Sequence, residues 1–262
     1  MSKCNFIYCA EVDSTNSEMK RRLDACKLKN YSCIYTDFQS AGRGQTMIGG
    51  KTSNVWESEP KKNLTFSLLI RPENIPVDMQ FFINQVVAIA IADELNDLLP
   101  EKNVVVKWPN DIYYNDKKLC GVLIENTIIG RNIDTSIVGV GVNVNQQEFL
   151  NAPNPTSLAI IAGRLFNVEK LRKSLVKRII KYYEEVFDKC ILSLEELYYR
   201  YFALLYRRDG LHKYATPGGD TFLASIVGVD ASGLLSLKHA DGSMHKYAFK
   251  EFLLPLAKPN TR

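Results

Sequence analysis

Lys107-Trp-Pro-Asn-Asp111, followed by Lys117-Lys118-Leu-Cys-Gly121, brings cations, an amide and a carboxylate together within fifteen residues. The β-branched run that leads into Lys107 predicts a strand. Pro109 disfavours helix at Trp108 and removes a backbone hydrogen-bond donor. The stretch therefore reads as the end of one strand and the start of the next.

A turn is predicted between the two halves of this stretch. Asn115-Asp116 is a turn signal, and the run from 119 to 125 resumes as a second strand. The resulting hairpin would cluster its chemically useful side chains near the turn end: Lys107, Asn110, Asp111 and Lys118. A carboxylate can bind a metal ion. Cations placed beside such a carboxylate are suited to a reaction on phosphate groups. These residues alone equally permit a solvated, charged hairpin tip.

Four further segments combine small polar residues with glycine or tryptophan. In chain order they are Asp13-Ser14-Thr15-Asn16, Gln39-Ser40-Ala41-Gly42-Arg43-Gly44, Trp56 with Asn63-Leu64-Thr65-Phe66-Ser67, and Gly139-Val140-Gly141-Val142-Asn143-Val144-Asn145. Together with the opening stretch, they resemble the signature motifs of biotin–protein ligases and occur in the same order. The resemblance spans about residues 7 to 165, with a weaker similarity in the C-terminal tail. One such motif is weakly specific, whereas five in order are strongly specific.

The resemblance implies an α+β fold with two parts. The first is a mixed β-sheet flanked by helices, the class II synthetase-like catalytic domain of biotin ligases, and the second is a small C-terminal SH3-like β-barrel. Periodicity predicts helices at 13–29, 79–99, 168–189 and 194–207, and strands at 6–12, 31–37, 64–70 and 135–145. Short strands with tight-hairpin signals follow at 221–229, 233–239 and 244–249. We therefore place a catalytic domain at residues 1–207 and the barrel at residues 208–262.

The resemblance also implies an ATP-dependent ligase that works in two half-reactions. A biotin carboxylate attacks the α-phosphorus of ATP to give biotinyl-adenylate and pyrophosphate. A specific lysine of a biotin carboxyl carrier protein domain then takes the biotin. Preorganised cations, backbone N–H groups and Mg²⁺ suit a step that brings two anions together. Lys118 and Arg43 align with the cations that the family uses for catalysis.

Carried over residue by residue, the motifs predict overlapping sets of ligand contacts. The biotin-binding set is Ser14, Thr15, Asn16, Gln39, Gly42, Arg43, Gly44, Gln45, Lys118 and Gly121. The ATP-binding set is Arg43, Trp56, Lys107, Asn110, Asp111, Lys118 and Asn143. Asp111 is the predicted Mg²⁺ ligand, because magnesium prefers carboxylate oxygen and retained waters.

One departure from the family pattern lies in the glycine-rich loop. The family often has a second arginine where this chain has Gln45, and the following loop to Trp56 is several residues longer than expected. Glutamine can donate a hydrogen bond but carries no charge. One electrostatic contribution to retention of the adenylate is therefore in doubt.

Bulk properties exclude several other classes of protein. A net charge of +4 over 262 residues does not indicate a nucleic-acid binder, and no apolar run is long enough to span a membrane. Six cysteines without a CxxC pair indicate reduced thiols, and the N-terminus lacks a signal-peptide pattern, so we expect a cytoplasmic protein. The chain begins directly at the catalytic motifs, and we expect it to lack the DNA-binding half that many family members carry. Pairing of two copies through sheet edges stays open.

Three competing interpretations have different tests. Gly44 to Thr52 resembles a P-loop, but five residues separate Gly44 from Gly50 where that motif requires four. A lipoate–protein ligase-like acyltransferase would share the fold, although such enzymes do not normally combine these glycine-loop and KWPND motifs. A non-catalytic biotin-binding module is the third interpretation, because of Gln45 and the altered loop. A turnover assay separates it from the enzymes.

Overall fold

The computed structural model describes residues 3–25, 28–46, 53–150 and 152–252, with only the backbone of residues 45, 46 and 53–55. The first nine strands in those ranges are β1 (Asn5–Val12), β2 (Ser32–Gln39), β3 (Arg43–Thr46), β4 (Ser53–Val55), β5 (Leu64–Ile70), β6 (Val104–Lys107), β7 (Asp111–Tyr114), β8 (Lys117–Ile129) and β9 (Asn132–Val142). Four more lie near the C-terminus: β10 (His212–Ala215), β11 (Thr221–Val229), β12 (Leu235–His239) and β13 (Met244–Tyr247). The α-helices are α1 (Thr15–Ala25), α2 (Gln80–Asn96), α3 (Leu158–Ala162), α4 (Val168–Tyr183) and α5 (Leu194–Ala203).

Seven of the strands form one mixed sheet in the order β1-β2-β5-β9-β8-β7-β6. The β1–β2 pair is parallel because α1 crosses over between them, and the other neighbours are antiparallel. Strands β3 and β4 form a separate two-stranded ribbon. The predicted α+β class, with a mixed sheet flanked by helices, is confirmed.

Helix α2 is buried on nearly every side, because it packs against β6 on one side and against α4 and α5 on the other. The apolar spacing predicted this helix at 79–99, and the structure places it at Gln80–Asn96. It is buried because other elements pack against it on both sides. A helix buried in this way is apolar on all of its faces. No helix in the described ranges is both long enough and apolar enough to cross a bilayer.

The opening stretch forms two successive hairpins, so the prediction of a single hairpin was wrong. Lys107 pairs with Asp111 across a first turn through Trp108-Pro109-Asn110, and the chain returns as β7. The Asn115-Asp116 turn then leads into β8. Strand β7 has only four residues, too few to give a clear alternating pattern. The site residues therefore lie on three adjacent strands instead of at one tip.

The C-terminal strands form an antiparallel sheet in the order β10-β11-β12-β13, consistent with the predicted SH3-like region. Three of the four strands were predicted; β10 was missed because four residues give little periodicity. Trp108 attaches this sheet to the main body: its indole N–H donates to the carbonyl of Gly233 at 3.0 Å. The same ring stacks on Phe252, with ring centroids 5.7 Å apart. Residues 253–262 of the predicted barrel lie outside the described residues.

Candidate active site

A cleft with an empty volume of about 650 Å³, open solvent included, is bounded by the start of α1, strand β3 and strands β8 and β9. Many of the residues singled out by the motifs line it: Ser14, Thr15, Asn16, Gln39, Arg43, Gly44, Trp56, Asp111, Lys118 and Gly121. Segments that are distant in sequence therefore converge on one cleft. The lining also includes residues outside the predicted ligand-contact sets. Gly139, Val140 and Gly141 belong to the fourth of the further motif segments, whereas Val122, Leu123 and Phe249 lie outside all the motifs.

A buried chain of hydroxyl and amide groups forms one end of the cleft. The side-chain oxygen of Gln39 accepts from the backbone N–H of Thr15 at 2.8 Å, and the Thr15 hydroxyl lies 3.2 Å from the same oxygen. The Ser67 hydroxyl lies 2.8 Å from the Thr15 hydroxyl and 2.5 Å from Oδ1 of Asn16. Because its oxygen is occupied, Gln39 keeps its NH₂ group as the donor for a ligand.

The start of α1 serves this network and forms no capping box. In the sequence, the pattern Thr15-x-x-Glu18 is a capping-box signal and predicts reciprocal bonds between those two residues. Instead, Thr15 bonds to Gln39, and the Glu18 carboxylate receives Nε of Arg22 at 2.7 Å. That prediction was wrong because β2 brings a competing acceptor, Gln39, next to the helix start.

Two glycines form the floor of the cleft. Gly121 on β8 and Gly141 on β9 face each other in the sheet, and the Trp56 indole lies on both. A Cβ on Gly141 would lie 2.5 Å from the indole, and a Cβ on Gly121 would lie 3.0 Å from it. The indole N–H is buried and has no partner among the described residues. Glycine is therefore required at both positions to make a flat surface for an aromatic or ring-shaped group.

The other end of the cleft is charged. Nζ of Lys118 lies 2.7 Å from Oδ2 of Asp111, and the two side chains are only 27% and 30% exposed. Lys107 lies deeper, with its Nζ 3.3 Å from the Tyr113 hydroxyl. Burial lowers the pKa of Lys107, partly offset by the negative charge of Asp111. The cleft thus holds an oriented ammonium beside a carboxylate.

Three residues of the predicted ATP-binding set lie behind the cleft wall: Lys107, Asn110 and Asn143. The Asn110 amide donates to Oδ1 of Asn84 at 2.7 Å, and the Asn143 amide donates to the carbonyl of Thr156 at 2.9 Å. In both asparagines the buried Oδ1 has no partner among the described residues. A free acceptor suits a ligand N–H or a metal-bound water better than a phosphate oxygen.

Two positions of the predicted biotin-binding set also lie outside the lining. A Cβ on Gly42 would lie 2.7 Å from the carbonyl of Trp56, so glycine there lets β3 pass close to the Trp56 backbone. The Gln45 side chain lies outside the described residues, as do residues 47–52 of the long loop. The consequence of the missing second arginine stays a prediction.

Glu125 on β8 is a site-adjacent residue that the sequence patterns missed. Its carboxylate receives Nδ2 of Asn16 at 2.7 Å and Nζ of Lys20 at 2.6 Å, and Nη2 of Arg43 lies 3.5 Å away. Burial alone would raise the pKa of Glu125, but these hydrogen bonds and charges hold the pKa below its usual range. The single acidic residue of β8, next to the apolar run Val122-Leu123-Ile124, was the available signal.

Comparison with known proteins bears directly on this arrangement. The sequence profile of the Biotin/lipoate A/B protein ligase family matches residues 8–143, more than half of the chain. The chain belongs to this family. The matched segment runs from β1 to the residue after β9 and includes the residues of the cleft lining apart from Phe249.

Individual members of the biotin/lipoate protein ligase family resemble the chain over most of its length. It is 30% identical to the chloroplastic biotin–protein ligase 1 of Arabidopsis thaliana over 82% of the chain and 58% of that protein. It is 29% identical to the bifunctional ligase/repressor BirA of Bacillus subtilis over 82% of the chain and 64% of that protein. The chain thus spans about three fifths of the length of these curated relatives.

A solved structure of the same family matches nearly the whole chain. The biotin protein ligase of Aquifex aeolicus, in complex with biotin and ATP, superposes with a TM-score of 0.76 at 25% identity. The match covers 97% of this chain and 99% of that one. It therefore includes the C-terminal sheet as well as the matched family segment.

Proposed function

We propose that the chain is an ATP-dependent biotin–protein ligase. One observation carries the proposal: a single cleft joins a neutral hydrogen-bonding end, a glycine floor under Trp56 and a charged end with Lys118 and Asp111. Biotin needs the first two features for its ureido ring and its apolar body, and the third for its carboxylate. The relatives named for biotin ligation support the same assignment.

In the first half-reaction, an oxygen of the biotin carboxylate forms a bond to the α-phosphorus of ATP. The bond from that phosphorus to the bridging oxygen of the β-phosphate breaks, and pyrophosphate leaves with the electron pair. Negative charge grows on the oxygens around phosphorus during this step, and a preorganised ammonium stabilises it. We assign that role to Lys118, with Arg43 as the second cation that lines the cleft.

In the second half-reaction, the neutral amine of an acceptor lysine attacks the acyl carbon of the adenylate. An amide bond forms, the acyl–oxygen bond to phosphate breaks, and AMP leaves while the amine loses a proton to solvent. Trp56 covers the glycine floor and would limit the access of water, which competes with the amine. We infer that the acceptor is a biotin carboxyl carrier protein domain.

Asp111 fits a Mg²⁺ site of the kind that ATP-dependent enzymes use. It is the single carboxylate among the described lining residues, and no cluster of three metal-binding side chains occurs in the described part of the chain. Mg²⁺ is usually bound by one or two carboxylates together with waters and substrate phosphates, so one carboxylate is enough. When bound, the metal would neutralise phosphate charge. Asp111 would orient it, and Lys118 would remain beside the reacting carboxylate.

Further parts of the proposal follow from the same assignment. We infer a cytoplasmic enzyme, because the described cysteines are free thiols, which are typical of a reducing compartment. We place the boundary between catalytic domain and C-terminal sheet near Arg208, after the segment whose Leu204 accepts from the Val106 backbone N–H at 2.8 Å. Pairing of two copies through sheet edges is compatible with this arrangement and is not required by it.

The experiment that tests the function is adenylate formation without acceptor. The purified chain is incubated with ATP, Mg²⁺ and either biotin or lipoate, and the acyl-adenylate is measured by mass spectrometry. We expect biotinyl-adenylate, loss of the product on chelation of Mg²⁺, and transfer to a carrier domain when one is added. Lipoyl-adenylate alone would assign the neighbouring activity within the family. Biotin binding without any adenylate would favour a binding module.

Replacing Phe249 by alanine should weaken the binding of ATP more than the binding of biotin. Phe249 lines the cleft from the C-terminal sheet, is 39% exposed and packs edge-on to Trp108 at 5.8 Å, close to the Asp111 end. An exposed ring there can stack on adenine, and loss of base stacking costs about 1–3 kcal/mol, so we expect the KM for ATP to rise roughly tenfold. Steady-state kinetics and a biotin titration measure the two effects.

The control for this prediction is Met244→Ala, which removes an exposed side chain from β13 of the same sheet without touching the cleft. An equal rise in the KM for ATP in both variants would assign the effect to the sheet as a whole. An unchanged KM in the Phe249 variant would remove the ring from the nucleotide site.

A further inference from the structure

The Glu125 carboxylate touches two cleft residues at once, although it does not line the cleft itself. One of its oxygens, Oε1, receives Lys20 at 2.6 Å. The other, Oε2, receives the Asn16 amide at 2.7 Å and lies 3.5 Å from Arg43. The side chain is 22% exposed, so these contacts are partly shielded from water. A carboxylate placed in this way controls the orientation of both neighbours.

The Asn16 amide has one allowed orientation in this setting. A carboxylate only accepts hydrogen bonds, so the group that faces Glu125 must be the NH₂ of Asn16. The same NH₂ lies 3.3 Å from the carbonyl of Leu123, a second pure acceptor. The Asn16 oxygen must therefore face Ser67, whose hydroxyl lies 2.5 Å away and must donate to it.

This orientation fixes the direction of the remaining hydrogen bonds. A hydroxyl has one proton, so Ser67, having donated to Asn16, must accept from Thr15 across their 2.8 Å contact. Thr15 then presents lone pairs to the cleft as an acceptor. Gln39, whose oxygen is held by the Thr15 backbone N–H, presents NH₂ as a donor. The pattern matches a ring that carries both N–H groups and a carbonyl.

We propose that Glu125 is a positioning residue that sets the donor–acceptor polarity of the biotin site through Asn16, Ser67, Thr15 and Gln39. It also holds Arg43 beside the cleft through a longer contact that a ligand anion can replace. The inference rests on the proposed function, since it assigns the recognised group as the ureido ring of biotin. Loss of the negative charge would weaken the preference of the Asn16 amide for this orientation, because only the longer 3.3 Å contact to the Leu123 carbonyl would remain as a fixed acceptor, and the polarity of the hydrogen-bond chain would be less strictly set.

The test compares biotin with 2-iminobiotin, in which a cationic guanidinium group replaces the urea carbonyl. The wild type should bind biotin far more tightly, because the Gln39 NH₂ cannot donate to the imino group. In Glu125→Gln we expect biotin affinity to fall at least about tenfold and the preference for biotin over iminobiotin to narrow by a similar factor. If Glu125 had only a structural role, Glu125→Gln would lower the affinities for biotin and for 2-iminobiotin by the same factor. Affinities are measured by calorimetry at fixed pH.

Two further variants keep the test specific. Lys20→Met removes the Lys20 contact but leaves both of the other Glu125 contacts, and it should keep the wild-type preference. Glu125→Asp keeps the charge and should restore most of the preference lost in Glu125→Gln. An unchanged ratio in Glu125→Gln, with biotin still adenylated by the wild type, would overturn the inference alone.

A second measurement does not depend on biotin. The side-chain NH₂ resonances of Asn16, assigned with Asn16→Asp, should be shifted by the hydrogen bond to a carboxylate in the wild type. Their chemical shifts should change in Glu125→Gln and should remain at the wild-type values in Lys20→Met. Unmoved resonances would overturn the inference, whereas absence of adenylate formation in the wild type would overturn the proposed function instead.

Discussion

Lys118→Ala will lower the rate of biotinyl-adenylate formation by about 10²–10³-fold, the usual effect of removing one preorganised charge-stabilising donor. Lys118 is held by Asp111 at 2.7 Å and is only 27% exposed, so its ammonium is oriented before the reaction begins. In the proposed mechanism, the charge at phosphorus develops beside this ammonium, and alanine offers no group to stabilise that charge. Single-turnover formation of the adenylate, followed by mass spectrometry, measures the effect.

Lys117→Ala is the matched control for that variant. Lys117 is the preceding residue on β8, and alternation along a strand turns its exposed side chain to the opposite face. It should retain the wild-type rate, because the Lys117 side chain does not line the cleft. The two variants have the same net charge, so any difference between them does not come from the overall charge. A Lys118 variant within threefold of the wild type would show that another cation, with Arg43 the first candidate, carries the reaction.

Gly141→Ala will weaken biotin binding by roughly 10- to 100-fold, because an extra methyl group forced into a packed site typically costs about 1–3 kcal/mol. The new Cβ would lie 2.5 Å from the Trp56 indole, so the ring must leave the floor. Indole fluorescence should change as well, and a biotin titration gives the affinity.

The glycines offer a graded series for this prediction. Gly121→Ala should have a smaller effect, because its Cβ would lie 3.0 Å from the indole. Gly218→Ala, whose Cβ would meet only the Thr216 hydroxyl at 3.6 Å, should bind biotin as the wild type does. Equal affinities across the three variants would contradict the role of the glycine floor in seating the Trp56 indole for ligand binding.

Sequence patterns located most of the elements and most of the cleft lining, for different physical reasons. Strand Leu64–Ile70 was predicted with the correct bounds because a short apolar run fits a strand buried on both faces. The cleft residues were found through motif resemblance, since Thr15, Arg43 and Lys118 have no local pattern that says they meet. Their convergence is a property of the sheet order.

What the sequence did not reveal is mostly contact at long range. Asn16 and Glu125 are 109 residues apart, and no periodicity links them. Asn110 and Asn143 were expected to face the ligand, yet the side-chain NH₂ group of each donates a hydrogen bond to another group of the protein. Two of the four-residue strands, Asp111–Tyr114 and His212–Ala215, escaped detection because they contain few alternations, whereas Val104–Lys107 was found through its β-branched run.

The attachment of Trp108 has a thermodynamic consequence. One tryptophan, three residues before Asp111, donates to Gly233 and stacks on Phe252 of the C-terminal segment. Trp108 therefore links the C-terminal sheet to the loop that leads into Asp111, the candidate Mg²⁺ ligand. A ligand that stabilises this loop also raises the free energy needed to detach the C-terminal sheet. By reciprocity, an attached sheet increases the affinity for the ligand. On the proposed function, the small sheet therefore acts as a clamp on the ATP-binding end of the cleft.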